Sequence, residues 1–104
     1  MIVEERTYHA YTGKLPELVR LYETEGTELQ QRILGRLIGA FTVDVGEVGS
    51  LVQLWAYESH AERERRRGEL QADEGWRAFL AKIQPLIHTQ QNRILVPTSF
   101  SPIG

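Results

Sequence analysis

Four arginines fall within five positions, at Arg63, Arg65, Arg66 and Arg67. A guanidinium presents five N–H donors in a planar fork that fits a carboxylate or a phosphate. The run could therefore be a phosphate-backbone patch, the wall of an anion site, or the wet face of a helix. Neighbouring acids argue against the first. Between Glu58 and Glu74 the four arginines meet six carboxylates, Glu58, Glu62, Glu64, Glu69, Asp73 and Glu74, for a net charge of -2. That is not the array of unopposed cations that drives nucleic-acid binding, and no nucleic acid is expected. Glu62–Arg66 at i,i+4 and Glu64–Arg67 at i,i+3 predict internal pairing, about 0.2–0.5 kcal/mol each, on a solvated helix. A 3.6-residue wheel leaves one question open. Ala61, Gly68 and Ala72, with Arg65 at their edge, form one stripe, and His60, Arg63, Arg67 and Leu70 form another nearly opposite. With the Leu70 stripe inward, an imidazole and two guanidiniums would point at the rest of the fold and could hold a carboxylate or phosphate.

Other residue types offer less. His9, His60 and His88 share no HxH, HxxxH or HExxH spacing, so no metal site is expected. No cofactor is expected either, though haem on a single histidine would need no motif. The serines occupy predicted turns, a cap and the tail, without a GxSxG elbow. Glu4 and Glu5 alternate across a strand and cannot share a substrate atom. The phosphate-loop and dinucleotide fingerprints are absent. A better lining for a small-molecule cavity is Gln53, Trp55 and Tyr57 on one strand face, with Arg6 and Tyr8 from the first strand. The same aromatics would equally serve as a dimer core. Arg93 shares this ambiguity. Only Tyr8 and His9 are nominees for a general base, and whether the chain is an enzyme stays open.

The elements that must position these groups follow from periodicity. "IVEERTYHA" reads as a strand over residues 2–10, and Leu15, Leu18, Val19, Tyr22, Gly26 and Leu29 recur at helical spacing over 14–30. A strand over 36–45, with Gly39 marking a bulge, turns at "GEVG" into "SLVQLWAYE". Val52, Leu54 and Ala56 share one face of that strand, and Leu51, Gln53, Trp55 and Tyr57 share the other. Ser59 and Glu62 form a capping-box signature for a helix over 59–72. Asp73 opens another, with Trp76, Phe79, Leu80 and Ile83 as its stripe, and Pro85 ends or kinks it. "HTQQNRILV" reads as the last strand.

The order β-α-β-β-α-β predicts an α+β, ferredoxin-like antiparallel sheet with helices on one face, a single domain over residues 1–104. The aromatic face of "LVQLWAY" is then expected to meet its equivalent in a twofold mate. At 104 residues, 41% apolar and 25% charged, the composition is that of an ordinary globular domain. A net charge of -2 gives no attraction to nucleic acid or to an anionic membrane. No apolar run approaches the ~20 residues of a membrane span. There is no cysteine, so disulfide and thiolate chemistry are excluded. The first residues lack a signal peptide's apolar core, and a cytoplasmic location is expected.

"RTY", "GKL", "LWAYES.AERERRR" and "W.AFLAKI.PLI..Q.NRIL.P" run in register over nearly the whole chain and resemble the NIPSNAP family. The resemblance implies a ferredoxin-like monomer in a dimeric α+β barrel. It is similar in fold to antibiotic-biosynthesis monooxygenases, small haem-degrading oxygenases and muconolactone isomerases, which use the space between sheet and helices as a pocket. Animal members are associated with mitochondria and vesicular traffic, whereas this chain looks like a stand-alone bacterial-type member. Such relatives carry leucine where this chain has His60, which tilts the Leu70 stripe inward. The expected function is binding of a small organic or anionic ligand, or of a partner protein, as a homodimer. The alternative is a cofactor-light monooxygenase or isomerase.

Overall fold

The computed structural model describes residues 1–103. The chain runs through β1 (Ile2–Ala10), α1 (Leu15–Leu21), a π turn (Tyr22–Gly26), α2 (Thr27–Leu34), β2 (Arg36–Thr42), β3 (Ser50–Tyr57), α3 (His60–Ala72), α4 (Glu74–Ile83) and β4 (Ile87–Leu95). All pairings are antiparallel and the sheet order is β2-β3-β1-β4. This is the ferredoxin-like α+β arrangement, with the split β-α-β strands at its centre. The register shift between Leu37 and Gly39 is the bulge that the glycine foretells. β2 stops at Thr42, short of the expected Val45, and residues 43–49 form a longer loop that includes "GEVG". Gly46 and Gly49 turn it at positive φ.

Register decides which sheet face is inside. Tyr57, Trp55, Gln53 and Leu51 pair with Ile2, Glu4, Arg6 and Tyr8, so all eight share one face. That face packs under the helices, where Trp55 and Tyr57 join Leu18, Leu70, Trp76 and Ile83 in the core. The expectation that the aromatic face is bare for a mate is therefore corrected. The helices take the face with the larger apolar area, and the opposite face is left open with Val52, Leu54, Thr7 and Phe41.

The first helical segment carries a second departure. Leu18, Tyr22, Gly26 and Gln30 are all buried, four residues apart, whereas Leu29 is only half-buried. An α-helix would rotate such a series steadily off the core, and the wider π turn absorbs that drift. Gly26 lets α4 approach, since a Cβ there would lie 2.4 Å from Cζ of Phe79.

Both helix caps expected after β3 form. Ser59 Oγ accepts the Glu62 N–H at 3.1 Å, and Asp73 Oδ2 accepts the Trp76 N–H at 2.9 Å. The reciprocal arm of the capping box does not form, because the Glu62 carboxylate takes Nε of Arg66 at 3.1 Å. Pro85 lies in a 3-10 turn that closes α4.

Candidate functional site

Glu4 is fully buried on the helix-facing side of β1, where an unpaired carboxylate would be untenable. Three side chains donate to it. Arg63 reaches down from α3 with Nε to Oε1 at 3.0 Å and Nη2 to Oε2 at 2.8 Å. Arg6 Nη1 donates to Oε2 at 2.9 Å, and so does Asn92 Nδ2 from β4. Burial alone would raise the Glu4 pKa, but the hydrogen bond from Arg63 and the charges of Arg6 and Arg63 outweigh it and hold the carboxyl below its ordinary value. Arg6 also donates Nε to the Tyr8 hydroxyl at 2.7 Å. Arg6 and Arg63 are thus both committed to partners inside the protein.

Arg67, one helical turn on from Arg63, is not. Its Nη1 is buried without a hydrogen-bond partner among the described residues. Burial and the neighbouring charge of Arg6 push its pKa down. Arg67 lines a recess of about 370 Å³ between β1 and β4 on one side and α3 and α4 on the other. Arg6 and Tyr8 form part of its floor, and the wall is Trp76, Leu80, Ile83 and Ile87. Tyr22 also lines it, with its hydroxyl unpaired among the described residues and its pKa pushed well up by burial first and by nearby Tyr8 next. Gln71, Gln84 and Gln90 supply amides. A smaller space of about 230 Å³ beside Gly35 involves Arg66, but that guanidinium is already held by Glu62 and by the Ile33 carbonyl.

The wheel's question is answered by Leu70, which is fully buried and carries Arg63 and Arg67 inward. The expected Glu64–Arg67 pair does not form for that reason; outward-facing Arg65 pairs with Glu69 at 3.5 Å, and Glu62–Arg66 forms as its spacing indicates. The wholly solvated helix is corrected to one wet face and one inward arginine stripe. His60 stands exposed at the first turn, away from the recess lining. Gln53 and Trp55 lie in the core, where Trp55 Nε1 donates to Gln53 and Gln53 Nε2 donates to Gln30. Tyr57 is buried near Arg67 without lining the recess. His9 falls on the open sheet face, within 3.0 Å of Ser50 Oγ, opposite in parity to Tyr8 and unable to act in the recess. Glu4, Tyr22 and the α4 wall were not foreseen as site residues. The signal for Glu4 was its parity with Arg6 and Tyr8. For Tyr22 and Trp76 it was membership of apolar helix stripes. Among the described residues no three His, Asp or Glu side chains converge as a metal site. Among the described residues no helix is long and apolar enough to cross a membrane.

A two-layer α+β domain with paired charge between its layers defines the class. The fold is shared with a Nitrosomonas europaea protein named as a candidate antibiotic biosynthesis monooxygenase (TM-score 0.70, covering 93% of this chain and 98% of that one), and at 10% identity the likeness concerns fold alone. Residues 3–102 match the NIPSNAP family, and the chain belongs to it. It is similar to a NIPSNAP family protein of Agrobacterium tumefaciens strain C58, with a TM-score of 0.97 and 44% identity over 99% of this chain and 98% of that one. It is also 32% identical over 66 residues to NipSnap homolog 1 of Danio rerio, a match covering 64% of this chain and 24% of that protein. The chain spans about a quarter of that curated relative's length.

Proposed function

We propose that this NIPSNAP domain binds a small organic molecule in the recess between sheet and helices, and that it works as a homodimer in the cytoplasm. The observation that carries the reading is the recess itself. Its volume of about 370 Å³ falls within the ~300–1,000 Å³ range of small-molecule sites, and an apolar wall with a few convergent polar groups is their usual chemistry. The Glu4–Arg6–Arg63 network supports it by locking the floor to α3, so the lining is held in place before a ligand arrives. The test is a fragment screen against isotopically labelled protein, read by amide shifts. Fragments should move the Tyr22, Trp76 and Ile83 amides as a group. Shifts confined to the open sheet face, or absent altogether, would sink the reading.

The open sheet face supports the dimer. Phe41 is 52% exposed there beside half-buried Val52 and Leu54, and Glu5 pairs with Arg93 at 2.7 Å towards the other edge. A face with one apolar half and one charged half is suited to a twofold copy of itself. A different partner protein on that face would leave the isolated chain monomeric.

A further inference from the structure

We infer that the recess takes an organic carboxylate and that Arg67 holds its head. The inference rests on the recess being a binding site and names what that site selects. Three guanidiniums, Arg6, Arg63 and Arg67, gather around one carboxylate, Glu4. Glu4 accepts four hydrogen bonds from two of them and from Asn92, and none from Arg67. Arg67 enters no ion pair among the described residues, and its inner nitrogen is buried and unpartnered. A partly buried guanidinium whose inner nitrogen has no hydrogen-bond partner and no directly paired carboxylate is costly in a fold that could have placed methionine there. The Tyr22 hydroxyl lines the same recess beside Tyr8 and makes no hydrogen bond of good geometry among the described residues.

One fork and one hydroxyl suit the two oxygens of a carboxylate. A phosphate calls for more: its sites draw on backbone N–H groups at a helix N-terminus or turn, or on several free cations. Here the recess is lined by the middle and end of α3 and by α4 side chains, and two of the three arginines are already engaged. Trp76, Leu80 and Ile83 would cover an apolar body behind the head. A ligand with one carboxylate and a flat or branched apolar portion meets the two groups of the recess, Arg67 Nη1 and the Tyr22 hydroxyl, that lack a hydrogen-bond partner among the described residues.

The test pairs each acid with its neutral isostere. Labelled protein is titrated at constant ionic strength with butyrate and butyramide, benzoate and benzamide, phenylacetate and phenylacetamide, and phenyl phosphate. The expected result is that at least one carboxylate shifts the recess amides at least tenfold more tightly than its amide. Arg67→Gln should erase that preference while leaving carboxamide binding in place, and Arg67→Lys should restore part of it. Acids and amides that bind the recess alike, or a phosphate that binds most tightly, would overturn the carboxylate inference and leave the binding site standing. Probes that all fail to move the recess amides would overturn both. Retention of the dispersed amide spectrum in each variant separates loss of binding from loss of fold.

Discussion

At the scale of the residue, Glu4 is the group on which the site's geometry depends. A carboxylate with no solvent exposure and three donating side chains is stabilising only while it is charged. Its folded pKa lies below its unfolded value, which is about 4.3. The contribution is therefore fully present above that pH and is lost as pH falls through the folded value. Glu4→Gln should cost about 3 kcal/mol at pH 7, because Arg6 and Arg63 are left around a neutral amide. The deficit relative to wild type should shrink as the pH is lowered below about 4. Urea unfolding of both proteins across pH 3–7 measures it, and a pH-independent difference would show that the Glu4 charge is not what holds the floor. Parity along β1 was enough to put Arg6 and Tyr8 together. It also put Glu4 with them, but an acid beside a base on a strand reads as surface charge until burial is known. For Arg67, four-residue spacing named a stripe without saying which way it faced. The direction came from Leu70, whose burial turns the neighbouring arginines inward.

At the scale of the element, the helix starts were legible because capping is local chemistry. Ser59 and Asp73 cap α3 and α4 as their side chains allow. The π turn was not legible. Residues spaced by four fit an α-helical stripe nearly as well, and only packing against α4 distinguishes the two. The turn matters to the site because it keeps Tyr22 on the recess while Gly26 meets Phe79. Gly26→Ala should destabilise the domain by about 1–3 kcal/mol through overpacking. A second change, Phe79→Leu, should remove most of the coupling by taking the ring out of the contact. A double-mutant cycle from denaturant melts checks this, and additive effects would show that the contact is not what excludes a side chain at position 26. The unforeseen length of the 43–49 loop has a similar origin. "GEVG" holds the glycines for a turn, but where a hairpin stops pairing depends on its partner strand.

At the scale of the whole molecule, the open sheet face makes the assembly testable. A homodimer should give a light-scattering mass twice the 11.9 kDa of the chain. Leu54→Glu, placing a charge on the half-buried apolar side of that face, should return the mass to that of one chain with little change in melting. A wild-type mass of one chain at tens of micromolar would remove the dimer from the proposal. Element order, strand parity and helix caps are properties of short stretches, so the sequence alone sufficed for the ferredoxin-like architecture and for bringing Arg6 near Tyr8. Which face of the sheet the helices would take, and so whether Trp55 and Tyr57 lie in the core or at a partner's surface, is a competition between two apolar faces. Only packing of the complete chain resolves it. The same packing divides the arginines of α3 between solvent and interior: Arg65 stays outside, Arg63 is held by Glu4, and Arg67 is left inside with a donor that has no partner among the described residues.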